Sequence, residues 1–217
     1  KVKMSKLKKE VEEFWELASC GEDLYLPREG APDYSVQSEA RYKLEPYILE
    51  FAEFAKFGDK RVLEVGVGLG ADHENFARAG AVLTGIDLTE RAVEHTRARL
   101  NFSGLASDVR VGDAEHLDFE RNTFDCVYSW GVLHHSPETA LAVKEVHRVL
   151  KPGGQAKIMI YHKWSLIGLM LWLRYGLFRL RPFRSLTELY AEHLESPGTK
   201  AYSVKEVTQM FSAFKDV

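Results

Sequence analysis

The sequence predicts an α/β fold built on an open, mostly parallel sheet with helices on both faces. Three observations predict it. Short apolar runs at residues 61–65, 82–86, 109–111, 124–128 and 156–161 alternate with longer stretches of helical periodicity, the pattern of parallel strands joined by crossover helices. The first run ends in the turn Gly66-Val67-Gly68-Leu69-Gly70, which hands the chain to a helix. The 217 residues, 45% hydrophobic and 12% aromatic, suffice for one full core with added helices.

In chain order, Met4, Leu7, Val11, Phe14, Trp15 and Ala18 recur at helical spacing among lysines and glutamates, and Gly21 stops that helix. Residues 22–36, rich in Gly, Pro and Asp, read as a loop, and a second helix is expected over 38–57. The first 58 residues are therefore read as a helical cap on a core at 59–161. Within that core, helices are expected at 72–79, 89–101 and 137–150, the last broken by Lys151-Pro152-Gly153-Gly154. Beyond Tyr161 the alternation stops. Residues 162–203 read as a helical lid insertion, and 204–217 as a last helix followed by the start of a sixth strand.

Composition narrows the function classes. A formal net charge of −3 does not suit a nucleic-acid binder, which needs a basic face. Cys20 and Cys126 are far apart and have no metal-like spacing, which points to a reducing, cytoplasmic compartment. No apolar segment follows the charged residues 1–9, and the chain opens before Met4, so a trimmed or altered N-terminus is expected. The apolar run at 164–173 is too short to span a bilayer.

The glycine turn brings the backbone close to a ligand without Cβ clashes, and the following helix offers free N–H groups. By itself it is ambiguous. Gly66-x-Gly68-x-x-Ala71, with Asp87 about 20 residues on, also fits a dinucleotide fingerprint, so a NAD-dependent oxidoreductase is the rival reading. Other features separate the two. Glu64, two residues before Gly66, would repel a pyrophosphate but suits a cationic sulfonium with an amino group. Gly112-Asp113-Ala114-Glu115 follows the third strand, where a carboxylate can accept from an adenine amino group. The run 124–128 leads into Ser129-Trp130-Gly131, and Leu150-Lys-Pro-Gly-Gly154 follows the next helix.

With Glu64-x-Gly66-x-Gly68-x-Gly70, Asp87, Asp113-Ala114 and Leu150–Gly154 together, residues 60–161 resemble the class I S-adenosylmethionine-dependent methyltransferases. The nearest likeness is to the small-molecule group that includes ubiquinone and menaquinone biosynthesis enzymes. The resemblance implies a Rossmann-like methyltransferase sheet, S-adenosyl-L-methionine as cofactor and S-adenosyl-L-homocysteine as product. It also implies roles. Gly66 and Gly68 shape the turn under the methionine part, and Asp87 binds both ribose hydroxyls. Leu88 packs on the adenine, Asp113 and the Ala114 N–H hold its polar edge, and Ser129 lies near the amino-acid end. Gly70 has the simpler reading of close helix–strand packing. The implied sheet has seven strands with a final antiparallel hairpin. Five strands and a start at 215 are read here, so the natural C-terminus is expected beyond residue 217.

Methyl transfer asks mainly for positioning in a dry site, and a base only if the acceptor must lose a proton. His134 and His135, at the mouth of the sheet, are the catalytic candidates. Tyr161 and His162 at the end of the fifth strand, Tyr42 on the second helix beside Arg41, and Arg174 are the substrate-binding candidates. No metal site is read. For residues 164–184 three readings stand: a buried helix packed on the first two, a lid with Arg174, Arg179, Arg181 and Arg184 pairing an anionic acceptor, or peripheral membrane contact without stable insertion. The expected partner is a small-molecule acceptor, lipophilic or aromatic. No nucleic acid is expected, because the Asn/Asp-Pro-Pro-aromatic tetrapeptide of amino-methylating DNA enzymes is absent. A non-catalytic cofactor-binding protein is the other alternative. Acceptor, methylated atom and oligomeric state are not legible.

Overall fold

A computed structural model describes residues 5–26 and 33–217. Strands β1 (Arg61–Val65), β2 (Val82–Asp87), β3 (Asp108–Val111), β4 (Phe124–Trp130) and β5 (Leu150–Met159) form one sheet in the order β3-β2-β1-β4-β5. Every pairing is parallel. Strand order reverses beside β1, so a crevice opens at the C-terminal ends of β1 and β4.

Side-chain alternation builds the two faces. Val62 lies with Leu83, Cys126 and Tyr128 under Phe57 and under Phe76 of α5 (Ala71–Arg78). Leu63 and Val65 point the other way, joining Ile86 and Val127 under Val143, Val146 and Val149 of α7 (Thr139–Val149). Val93 and Leu100 of α6 (Glu90–Phe102) cover Val109. Each fully buried side chain of this kind contributes about 1.5–3 kcal/mol. β5 starts earlier and ends earlier than expected. Leu150 pairs with Phe124 and Gln155 with Cys126, so Lys-Pro-Gly-Gly is an excursion inside the strand, with Gly153 at φ +79°. Lys151 anchors that excursion on Asp125 at 2.8 Å.

The N-terminal cap is more broken than its periodicity predicts. α1 (Lys6–Leu17) starts at Ser5, whose side chain accepts from the Lys8 N–H. The Met4 end of the expected helix and residues 27–32 of the expected loop lie outside the described residues. Within the rest of that loop α2 (Glu22–Tyr25) forms, and Asp33 caps α3 (Tyr34–Leu44). The single helix expected over 38–57 is instead α3, α4 (Tyr47–Ala52) and a 3-10 turn, Phe54–Phe57. Pro46 disfavours helical backbone at Glu45, and Glu53 ends α4 in the left-handed region at φ 52°.

After β5 come α8 (Leu166–Leu171), a π-turn (Trp172–Leu177), α9 (Leu186–His193) and α10 (Val204–Met210). The expectation that the 164–173 helix is buried on the first two helices is not met. α8 packs on α9 and the π-turn. Gly168 allows this, since a Cβ there would stand 2.6 Å from the Tyr190 hydroxyl. Trp164 remains 69% exposed and Met170 65%. The sixth-strand start at 215–217 does not form either. α10 ends at Met210, and Phe211 and Phe214 turn back onto the α7 cluster. A strand needs a ladder partner, and among the described residues none pairs with this segment. No helix among the described residues is long and apolar enough to cross a membrane.

Candidate functional site

A cavity of about 360 Å³ opens at the C-terminal ends of the strands, between the turn after β1 and the loops after β2, β3, β4 and β5. Its floor is the glycine turn. Gly66 sits at φ +83°, and a Cβ there would lie 2.2 Å from Val132 Cγ2. Gly70, at φ +76°, would meet Thr96 Oγ1 at 2.8 Å. Gly68, at φ +51°, faces open space. So Gly66 and Gly70 are required by packing, and Gly68 is the face a ligand can approach. The turn is pinned from below by Gly66 N–H to Ile86 O at 2.7 Å, and from the side by Gly68 N–H to Asp87 Oδ2 at 3.1 Å.

Acidic groups ring this floor. Asp87 Oδ1 accepts from the Thr89 N–H and hydroxyl, and burial pushes its carboxyl upward in spite of these donors. Asp72, buried in the first turn of α5, accepts from Arg41 and Tyr128 at 2.8 Å and from Tyr42 at 2.7 Å. Burial holds both tyrosines far above their usual range, so they remain donors. Lys8 of α1 donates to Asp113 at 2.7 Å and to Glu115, closing the cavity wall from outside the sheet.

Glu64 is buried and its Oε2 lies 2.8 Å from His73 Nδ1. The proton count follows from the next partner. Ser107 donates its hydroxyl to Leu83 O, so it accepts from His73 Nε2–H at 2.9 Å. Nδ1 of a neutral ring is then bare, and the proton between it and Glu64 comes from the carboxyl. Burial supports that state from both sides, pushing Glu64 well up and His73 down to about 3. In this arrangement Glu64 faces the cavity as a neutral carboxyl.

The structure brings Glu64, Gly66, Gly68, Asp87, Leu88, Asp113 and Ala114 to one cavity, which His135 and Tyr161 also line. It does not bring the other predicted residues there. Ser129 is fully buried and donates to Val65 O at 2.9 Å, tying β4 to β1. Tyr42 stands behind Asp72 while its neighbour Arg41 lines the cavity. His134 is fully buried, and neither ring nitrogen has a hydrogen-bond partner among the described residues. Its ring packs on Tyr161 at 3.9 Å. Burial and the neighbouring His135 and Lys200 hold it well below the usual histidine range. His162 is exposed and bridges Tyr202, and Arg174 is exposed over Tyr175, away from the cavity. Adjacent residues point different ways on the 3-10 turn that carries His134 and His135 and on the helix α3 that carries Arg41 and Tyr42, which separates the members of each pair.

Sequence reasoning passed over Lys8, Trp15, Asp72 and Glu195, all of which line the cavity. Asp72 carried a signal, as an acid in the first helical turn after the glycines. Glu195 carried a weaker one, an acid opening the Ser-Pro-Gly stretch after a helix. Lys8 and Trp15 carried none, being ordinary members of an amphipathic helix.

Comparison with known proteins agrees with the fold. The methyltransferase domain family matches residues 63–158. A ubiquinone biosynthesis O-methyltransferase of Pseudomonas aeruginosa is 38% identical over 104 residues, 48% of this chain and 45% of that protein, so the chain spans about half the length of that relative. The enzyme of the same description from Bordetella pertussis is 30% identical over 168 residues, covering 70% of this chain and 69% of that one. Among solved structures, the YcgJ protein of Bacillus subtilis has a TM-score of 0.60 at 26% identity, over 78% of this chain and 67% of its own. The PH0226 protein of Pyrococcus horikoshii shares the fold, with a TM-score of 0.61 at 22% identity over 93% of this chain and 89% of its own.

Proposed function

The chain belongs to the S-adenosylmethionine-dependent methyltransferases of class I, and on that premise we propose that it moves a methyl group from S-adenosylmethionine to a small-molecule acceptor within the cavity above the glycine turn. One observation carries this reading. The open face of Gly68 and the carboxylates Asp87, Asp72 and Asp113, with the neutral carboxyl of Glu64 among them, border one cavity whose two lining cations, Lys8 and Arg41, are already paired with carboxylates. Such a wall suits a cationic ligand and offers a pyrophosphate no free cation among the described residues.

The residues present fit the cofactor. Asp87 already accepts twice from Thr89 and once from Gly68, which leaves Oδ2 one acceptor site for a ribose hydroxyl, and Leu88 would pack on the adenine. Asp113 and the Ala114 N–H would meet its polar edge, and Glu64 and Asp72 would face the methionine end. When bound, S-adenosylmethionine supplies an activated methyl group on a sulfonium. The chain's task is to hold the acceptor in line with it and exclude water. The acceptor side has flat apolar walls from Trp15, Trp130 and Tyr161, which favour an aromatic acceptor, as does the likeness to ubiquinone biosynthesis O-methyltransferases. Cys20 and Cys126 are unpaired, in keeping with a cytoplasmic setting.

Titration calorimetry tests the reading. S-adenosylhomocysteine is expected to bind and NAD(H) not to, with Asp87→Ala weakening the former at least about tenfold as a charge-assisted hydrogen bond is lost. Binding of NAD(H) in place of S-adenosylhomocysteine would overturn it.

A further inference from the structure

We propose that Glu195 is the proton acceptor of the transfer, held toward the cavity by His135 and Tyr161, and that its acceptor carries a hydroxyl on a flat ring; this rests on the methyltransferase reading above. Glu195 follows α9 with left-handed backbone, φ 51°, a conformation a non-glycine residue keeps only when its surroundings hold it there. They do. Gly198 N–H bonds Ala191 O at 3.0 Å, and Lys200 N–H bonds His134 O at 3.1 Å. The Lys200 ammonium reaches Ser136 O at 2.7 Å. The 195–200 loop is thereby clamped to the loop after β4.

Hydrogen-bond accounting selects the carboxylate over the histidine. His135 Nε2 faces Glu195 Oε2 at 3.2 Å. Its Nδ1 faces Ser196 Oγ at 2.8 Å and Thr199 Oγ1 at 3.0 Å, and Thr199 gives its own proton to Ser196 O. With Nε2–H donated to Glu195 and Ser196 donating to Nδ1, both ring nitrogens are occupied inside the protein. Tyr161 donates to both Glu195 oxygens at 3.0 Å. Oε1 therefore receives one donor and keeps a lone pair, on a side chain one-third exposed that lines the cavity. Burial pushes the Glu195 carboxyl up, and the His135 and Tyr161 bonds outweigh it, leaving the group below the usual carboxylate range and ionised. Burial keeps Tyr161 a neutral donor. His134 packed against Tyr161 and Trp15 edge-on to His135 at 5.2 Å fix the two positioning rings.

The step balances. The acceptor oxygen bonds the methyl carbon as the carbon–sulfur bond breaks, with that electron pair staying on sulfur. The hydroxyl proton passes to Glu195 Oε1, and from there to water after product leaves.

The test uses the full chain saturated with S-adenosylhomocysteine and 4-nitrocatechol as a chromophoric probe, read by tryptophan quenching and by the probe's visible spectrum. Wild type is expected to bind the protonated probe at a pH where the free probe is ionised. Glu195→Gln is expected to weaken binding at least about tenfold and abolish that spectral shift, with S-adenosylhomocysteine affinity unchanged. Tyr161→Phe, which leaves the carboxylate in place, should weaken binding about threefold and keep the shift. Equal binding and equal spectra in wild type and Glu195→Gln would overturn the proposal, as would no probe binding by a wild type that holds S-adenosylhomocysteine. A wild type that fails to hold S-adenosylhomocysteine would overturn the methyltransferase reading instead.

Discussion

Residues 61–161 and residues 162–203 are similarly rich in apolar side chains, yet they treat them in opposite ways. In the first region Val62, Leu63, Val127 and Phe76 have almost no exposed surface. In the second Trp164, Leu166, Met170 and Phe183 stand in solvent, while a short polar loop at 195–200 enters the site. The difference is one of partners. A strand with neighbours on both sides has two faces to cover and helices to cover them, whereas α8 packs chiefly on α9 and the π-turn. In the second region the residue that lines the cavity, Glu195, comes with the polar loop and not from the hydrophobic helix.

Substitutions can break or sharpen this contrast. The largest effect is expected in the first region, at Gly66→Ala. Left-handed backbone costs about 1–2 kcal/mol without glycine, and the contact with Val132 adds about 1–3 kcal/mol. Thermal unfolding should fall by roughly 10 °C, with S-adenosylhomocysteine binding lost in calorimetry. Gly68→Ala, also left-handed but with a Cβ that meets nothing, should lose about 1–2 kcal/mol from its backbone alone, together with affinity, which would separate the packing glycine from the one that faces open space.

Next is Lys8→Met, which leaves Asp113 and Glu115 facing each other without their cation. A loss of about 2 kcal/mol is expected in urea unfolding, at the low end for a broken buried pair because Asp113 is one-third exposed. Acid should act on the same cap. Arg91 holds the Glu22 carboxyl down to about 2 from the ordinary 4.5. A depressed acid contributes its stability above 4.5 and loses it as pH falls toward 2. Hydrogen exchange in α1 and α2 should therefore speed up across that window before exchange in β1 does.

The smallest effect is expected in the second region. Arg174→Ala with Arg179→Ala should change S-adenosylhomocysteine affinity and turnover less than about twofold, because both side chains are exposed and neither lines the cavity. A tenfold loss would restore the lid reading of this segment.

Much of the cavity lining around the glycine turn was legible in the sequence because it is local. The glycines, Glu64, Asp87 and Asp113 each end a strand or begin a turn, so placing five strands places them all. Of the rest of the lining, His135 and Tyr161 were legible from strand ends, and Lys8, Trp15 and Glu195 were not, because α1 and the 195–200 loop lie far from the strands in sequence. His134 shows the limit. Adjacent to His135 and chemically identical, it points into the core, and periodicity cannot see the rotation of a single 3-10 turn.

The order of strands and helices, the parallel sheet and the glycine floor follow from the sequence itself, since apolar alternation and backbone sterics act between near neighbours. The protonation of Glu64, the cation bridging Asp113 and Glu115, and the Glu195 carboxylate held between His135 and Tyr161 were decided by the tertiary structure. Each depends on which distant donor reaches the group, and on how far burial has removed the water that would otherwise take that donor's place.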